Sequence, residues 1–288
     1  MKELRDLART LLAEGAVKVV IGYEEGPLGA RPAFVARPED AERLIFDARC
    51  THCLPAYLSP RRSHVAALGK PAVVVKGCDA RAIAGLIREA QLKREDVVVI
   101  GVRCGGVTGD PTMAELASGT VAPRCDGCET REPKLADYVV GPALPAPPAT
   151  DKPDMLARLE GMNAAERWEF WQEAFARCVR CQACRQACPM CFCERCVADK
   201  TQPAWIESSP HGRGNLAWHL TRAIHQAGRC VACGECQRAC PADIPLGLLN
   251  KKLAHVVAER FGYRAGDDPA VPAPVGAFRL DDAQEFIR

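Results

Sequence analysis

No stretch of this 288-residue chain approaches the roughly 18 uninterrupted apolar residues that a membrane span requires, so direct insertion into a bilayer has no sequence support. The opening MKELRDLART is amphipathic and lacks an apolar signal core, and a cytoplasmic protein is the expectation. An excess of either charge is also missing. With a formal net charge of +2 and both signs interspersed, there is no electrostatic argument for nucleic acid or an anionic membrane surface as partner. The sequence has no G-x-G-x-x-G after a strand, no H-E-x-x-H, no nucleophile elbow and no phosphate loop. Those absences leave dinucleotide-binding sites of the Rossmann type, zinc proteases, hydrolases and kinases without residues to stand on. The six histidines, His52, His64, His211, His219, His225 and His255, fall in no metal or catalytic spacing, and surface or capping roles are expected for them.

What the chain does have is cysteine. Seventeen of them would be a hazard as free thiols in a reducing compartment, and an odd count rich in C-x-x-C pairs fits metal ligation better than a disulfide framework. The chain is also 48% hydrophobic, enough to bury a core across one large or two ordinary domains.

The first half reads as alternating strands and helices. Val17–Ile21, Ala72–Lys76 and Val97–Val102 are short β-branched runs without polar alternation, as strands buried on both faces of a parallel sheet should be. Between the last two, Asp79 to Lys93 predicts a helix with Asp79 as N-cap and Ile83, Leu86, Ile87 and Ala90 on one apolar face, completing a βαβ unit. From Gly141 the texture turns to GPALPAPPATDKP, which sustains neither helix nor central strand. The expected organisation is therefore an α/β domain with a small parallel or mixed sheet over 1–141, a Pro/Ala-rich linker over 142–153, a mostly α-helical domain over 154–264 and an extended tail over 265–288. In the helical half, Asn163 and Glu166 form a capping-box pattern ahead of Trp168, Trp171 and Phe175 on one side of a helix running into Cys178. A second helix, Asn215 to Ala227, ends before Gly228 and Cys230, with Leu216, Leu220 and Ile224 as its expected inner stripe.

Two runs carry the strongest chemical signal: Cys178-x-x-Cys181-x-x-Cys184-x-x-x-Cys188-Pro189 and Cys230-x-x-Cys233-x-x-Cys236-x-x-x-Cys240-Pro241. Three thiolates two residues apart can wrap one 4Fe-4S cube, while the fourth, followed by proline, is thrown toward the neighbouring cube. Crosswise ligation is expected, with Cys178, Cys181, Cys184 and Cys240 on one cluster and Cys230, Cys233, Cys236 and Cys188 on the other. Zinc modules also use C-x-x-C pairs, but zinc gives no reason for a Cys-Pro at this offset twice. With a long, helix-containing spacer between the runs, the segment from Trp168 to Leu253 resembles the α-helical ferredoxin domain of succinate dehydrogenase iron–sulfur subunits and heterodisulfide reductase electron-transfer subunits.

In the first half, Cys78 and Cys104 each follow a predicted strand, which places them at the carboxyl edge of one sheet, where ligands of open α/β folds bind. Cys78 also stands at a helix N-terminus, whose dipole favours a thiolate. Cys125 and Cys128 supply a C-x-x-C, and the four together make a third 4Fe-4S site geometrically feasible. The order KGCDARAI at Lys76–Ile83, VVIGVRCG at Val98–Gly105, CDGCE at Cys125–Glu129 and LADYVVG at Leu135–Gly141 resembles the beta-subunit family of deazaflavin-coenzyme-dependent hydrogenases and dehydrogenases. That resemblance spans about residues 15 to 141 and implies an iron–sulfur cluster, FAD, and electron exchange between clusters and a hydride carrier. The glycine-rich segment Gly22–Arg31 reads more naturally as a surface loop than as a phosphate cradle. Cys50 and Cys53 form a lone C-x-x-C with three open readings: ligands to the third cluster, a redox dithiol, or structural thiols. Cys191, Cys193 and Cys196 are one short of a closed site, leaving open a metal site with a borrowed ligand or packing around the first cluster and a partner.

The expectation is an iron–sulfur electron-transfer subunit of a cytoplasmic anaerobic redox complex. Its partners would be other redox subunits, from a hydrogenase, a formate dehydrogenase or a flavin-containing heterodisulfide-reductase-like protein. The alternative is an FAD-containing oxidoreductase that exchanges hydride with a deazaflavin or nicotinamide coenzyme and passes electrons to the clusters.

Overall fold

The computed structural model describes residues 1–109, 121–125, 128–145, 155–207, 209–278 and 280. Five strands, β1 (Val19–Gly26), β2 (Gly29–Val35), β3 (Pro71–Val75), β4 (Val98–Val102) and β5 (Tyr138–Val140), form one sheet in the order β2-β1-β3-β4-β5. Strands β1, β3, β4 and β5 run parallel, as their continuous apolar stretches require, and both β3 and β4 are buried except at their first residue. The sheet is mixed because β2 folds back antiparallel on β1, pairing Gly26 with Gly29. The segment Gly22–Arg31 is thus a hairpin on the sheet edge, and it leads into no helix that could receive a phosphate.

Helix α1 (Lys2–Ala13) buries Leu4, Ala8, Leu11 and Leu12 in the same core as the strands, and a short turn α2 (Ser63–Ala66) precedes β3. Helix α3 (Gly77–Arg88) makes the crossover between β3 and β4. Its N-cap is Lys76 rather than Asp79. Asp79 lies one turn inside, where its carboxylate accepts the Lys76 backbone N–H at 3.3 Å, a capping role played from the third helical position. The helix stops at Arg88, short of the expected Lys93, because Ala90 takes a left-handed φ of 54° that ends the ladder.

The cluster half is helical: α4 (Met155–Gly161), α5 (Ala164–Ala176), α6 (Ala183–Ala187), α7 (Gly212–Gln226), α8 (Glu235–Arg238) and α9 (Leu246–Phe261). The Asn163–Glu166 capping box forms as expected, with Asn163 Oδ1 accepting from the N–H groups of Ala165 and Glu166. Along α5, Phe175 is buried and Trp171 stacks on it at 5.4 Å, while Trp168 is largely exposed. The inner stripe expected for α7 holds only at Leu216, which packs on the core beside Phe175: Leu220 and Ile224 face outward at 44% and 68% exposure, and the buried face includes Asn215, Trp218, His219, Arg222, Ala223 and Gln226. Apolar spacing marks a buried helix face only where the core is apolar, and here the core is lined with cysteines.

The two halves meet along a seam. Cys53 and Ala82 from the sheet side pack with Val231, Tyr263, Ala265 and Ala273 in one small apolar cluster. Arg81 donates to the Ala265 carbonyl at 2.6 Å and pairs with Asp267 at 3.1 Å, so the segment after Arg264, irregular apart from a 3-10 turn at Pro274–Gly276, is docked on α3 rather than free. Arg229 pairs with Glu89 at 3.0 Å across the same boundary. The linker 142–153 is described only to residue 145, and the rest of it lies outside the described residues, as do residues 281–288 of the tail. Among the described residues, no helix is long and apolar enough to cross a membrane.

Candidate metal centre

The two cysteine runs fold alike. In each, the residue two after the first cysteine and the residue two further on adopt left-handed backbone: Arg180 (φ 57°) and Gln182 (φ 59°) in one, Ala232 (φ 57°) and Gly234 (φ 73°) in the other. These reversals curl the chain around its own thiols, and the Arg180 and Ala232 N–H groups each donate to the first sulfur of their run, Cys178 and Cys230, at 3.4 Å. A short helix, α6 or α8, then carries the third cysteine. Gly234 is glycine for a second reason: a Cβ there would meet the Arg124 side chain at 2.7 Å. Arg124 crosses from the sheet half, donating to Glu235 at 2.7 Å and to the Thr51 carbonyl at 2.8 Å.

The fourth cysteines change sides. Cys178, Cys181, Cys184 and Cys240 line one small cavity together with Trp218 and His219. Cys188 lies instead in a second cavity of about 1210 Å³, with Cys230, Cys233 and Cys236. That larger space runs along the seam and is also lined by Cys78, Cys104, Cys125 and Cys128. Close backbone approach brings the latter four together. The Cys104 N–H donates to the Arg131 carbonyl at 3.1 Å, and a Cβ at Gly77 would meet the Thr130 carbonyl oxygen at 2.1 Å, so only glycine lets the start of α3 approach the segment after Cys128.

Donor chemistry in both cavities fits iron–sulfur groups: four thiols line the small one and eight the large one, with N–H groups aimed at sulfur. Besides Arg180 and Ala232, the Val107 N–H donates to Cys125 at 3.4 Å and Asn250 Nδ2 to Cys236 at 3.5 Å. A family model for 4Fe-4S dicluster domains matches residues 152–244, a span that holds both runs. The beta subunit of the F420-dependent formate dehydrogenase of Methanocaldococcus jannaschii is 23% identical, over 84% of this chain and 84% of its own length. The beta subunit of F420-dependent formate dehydrogenase 1 of Methanococcus maripaludis is 24% identical over 94% of this chain and 92% of its own. The chain is similar to these beta subunits over most of its length, and its C-terminal half matches the 4Fe-4S dicluster model. The likeness to them runs through both halves and does not stop near Gly141.

Several of these thiols are held in the protonated form by burial. Burial pushes the Cys230 thiol up to about 12 and that of Cys184 up to about 11, and it raises Cys78, with Asp79 adding to the effect. Iron binding must therefore displace protons from these groups. Cys191 behaves differently. A hydrogen bond from Cys188, with Arg222 and Arg61 nearby, draws its thiol down to about 6, and Gln226 Nε2 donates to its sulfur at 3.3 Å.

The remaining cysteines separate. Cys50 lies in the sheet core, where the Asp47 N–H donates to its sulfur at 3.4 Å, whereas Cys53 belongs to the seam and is hydrogen-bonded to Cys233. Cys193 is exposed and Cys196 half-buried. Among the described residues, no three His, Cys, Asp or Glu side chains converge on a single-ion site.

Sequence reasoning missed the polar residues that surround the sulfurs. Arg222 is buried on α7, donates to the Cys184 carbonyl at 3.0 Å and has Cys188, Cys191, Cys236 and Cys184 as its charged neighbours, between the two ferredoxin-type sites. Asn215 ties α7 to the first run through the Phe175 and Cys178 carbonyls at 3.0 and 2.9 Å. His219, expected at the surface, is buried against Phe175 at 4.5 Å, and His211 is the N-cap of α7. A signal was present in the spacing: Asn215, His219, Arg222 and Gln226 recur at i, i+4, i+7 and i+11, a polar stripe with the period of a helix face.

Proposed function

We propose that this chain is the iron–sulfur relay subunit of a formate-dehydrogenase-like complex, holding three 4Fe-4S clusters in series. The ligand sets are Cys78, Cys104, Cys125 and Cys128; then Cys188, Cys230, Cys233 and Cys236; then Cys178, Cys181, Cys184 and Cys240. The observation that carries this reading is that the first two sets line one cavity on the seam, while the third lines a separate cavity, with Arg222 beside cysteines of both the second and third sets. The order of the series follows from that arrangement. Bound there, the clusters supply one-electron transfer without any substrate-binding group.

The protein's own residues hold the sites at fixed separation and keep them dry. The seam residues Cys53, Ala82, Val231 and Tyr263 pack beside the second set, and Arg124 with Glu235 clamps it to the sheet half. Arg222 offsets negative charge between the second and third sets. Cys181 is exposed and marks the outer end of the series, where a partner subunit can approach. The partner would be another subunit of a formate-dehydrogenase-like complex, a reading supported by the relatives' names.

Anaerobically purified protein should contain about 12 iron and about 12 sulfide per chain, three clusters of four each. Cys188→Ser should damage the site begun by Cys230 and spare the one begun by Cys178, and Cys240→Ser should do the reverse, as read by spin-quantified EPR. Both substitutions damaging the same site would overturn the crosswise assignment. Stoichiometric FAD, with cluster reduction by a hydride donor alone, would replace the relay by the oxidoreductase reading.

A further inference from the structure

The buried face of α7 carries four polar side chains, and three have partners. Asn215 donates to two carbonyls, Arg222 to the Cys184 carbonyl, and Gln226 to the Cys191 sulfur. His219 is the exception. It is 2% exposed, and neither Nδ1 nor Nε2 has a hydrogen-bond partner. Its ring is not free to turn toward solvent, because it stacks on Phe175 at 4.5 Å with the planes 14° apart.

An imidazole in any protonation state carries at least one N–H. Burying that donor without an acceptor forfeits its hydration with nothing in return. The charged neighbours of His219 are Arg180 and Arg222, which have donors only, so neither can accept from it. What His219 does face is the small cavity it lines together with Cys178, Cys181, Cys184 and Cys240. Sulfur atoms of an iron–sulfur group are acceptors of the kind this donor lacks.

We infer that His219 donates its ring N–H to a sulfur of the cluster held by Cys178, Cys181, Cys184 and Cys240, and thereby raises the reduction potential of that site. The inference rests on the relay reading. His219 is a positioning residue for charge, not a ligand: a donor to cluster sulfur stabilises the more negative, reduced state. Asn250 makes the corresponding contact at the neighbouring site, to the Cys236 sulfur at 3.5 Å, with an amide in place of an imidazole.

The test is an EPR-monitored redox titration of anaerobically purified His219→Leu and His219→Gln, following the signal that is lost in Cys240→Ser. His219→Leu should shift that signal to lower potential and leave the other signals in place; His219→Gln, which keeps an N–H donor, should recover most of the shift. Pulsed EPR of the unsubstituted protein labelled with 15N-histidine should show a nitrogen coupled to the same cluster, a readout independent of how well the variants fold. Absence of that coupling, or an unchanged potential in His219→Leu at full iron content, overturns the inference. Unsubstituted protein without iron and sulfide would instead overturn the relay reading beneath it.

Discussion

The two halves of this molecule bury different things. The sheet half is filled with Val20, Ile21, Val73, Val74, Val99 and Ile100, a continuous close-packed hydrocarbon core, and its buried polar groups include the Lys76–Asp79 ion pair. In the cluster half the apolar core shrinks to Ala174, Phe175, Ile244, Leu246 and two cysteines, while Arg185, Asn215, His219, Arg222, Gln226, Glu235 and Asn250 are buried. Such a list of interior polar groups is costly unless each has a partner. The comparison teaches that the first half rests on one large apolar cluster, whereas in the second a smaller apolar cluster shares the interior with polar side chains gathered around sulfur.

The largest expected effect follows directly. Removing iron by chelation under mild oxidation should leave amide protection in β1, β3 and β4 intact and reduce it in α5, α7 and α9 to nearly that of an unfolded chain, because ligand binding and folding are one process in a metal-held core. Hydrogen exchange read by mass spectrometry checks this, and equal loss in both halves would erase the distinction. Gly77→Ala sharpens the boundary between them. Its Cβ has backbone, not a flexible side chain, in its way, so a destabilisation of about 2 kcal/mol and loss of about four iron atoms from the seam are expected, measured by thermal denaturation and iron assay. The smallest effect belongs to Ile224→Glu on the outer face of α7, which should change unfolding free energy by less than about 0.5 kcal/mol in denaturant titration. A large loss there would restore the apolar-stripe reading of this helix.

The same contrast decides how much of the structure could be read beforehand. Parallel strands were legible because β3 and β4 are uninterrupted β-branched runs, and the Asn163 box because its donors and acceptor are local. The cysteine spacing, with Cys-Pro at the same offset in both runs, led to the crosswise assignment, which the proposal retains and the paired serine substitutions test. Strand β2 was hidden in a glycine-rich stretch that only pairing with β1 makes regular. The face of α7 was misjudged because hydrophobic periodicity assumes an oily interior; Leu220 and Ile224 keep helical spacing yet point outward. No local pattern revealed that Arg124 would span to Glu235, or that the segment after Arg264 would dock on Arg81, because those contacts join residues far apart in the chain.

That docked segment bears on how the protein is made. Tyr263, Arg264 and Ala265 line the large cavity, and they follow every cysteine of the chain in sequence. During synthesis all of the thiols emerge before the residues that close over them, so there is an interval in which a donor of preassembled iron–sulfur groups can reach the open seam. Once Arg81 has captured Ala265 and Asp267, the last-made wall of that cavity is tied to α3.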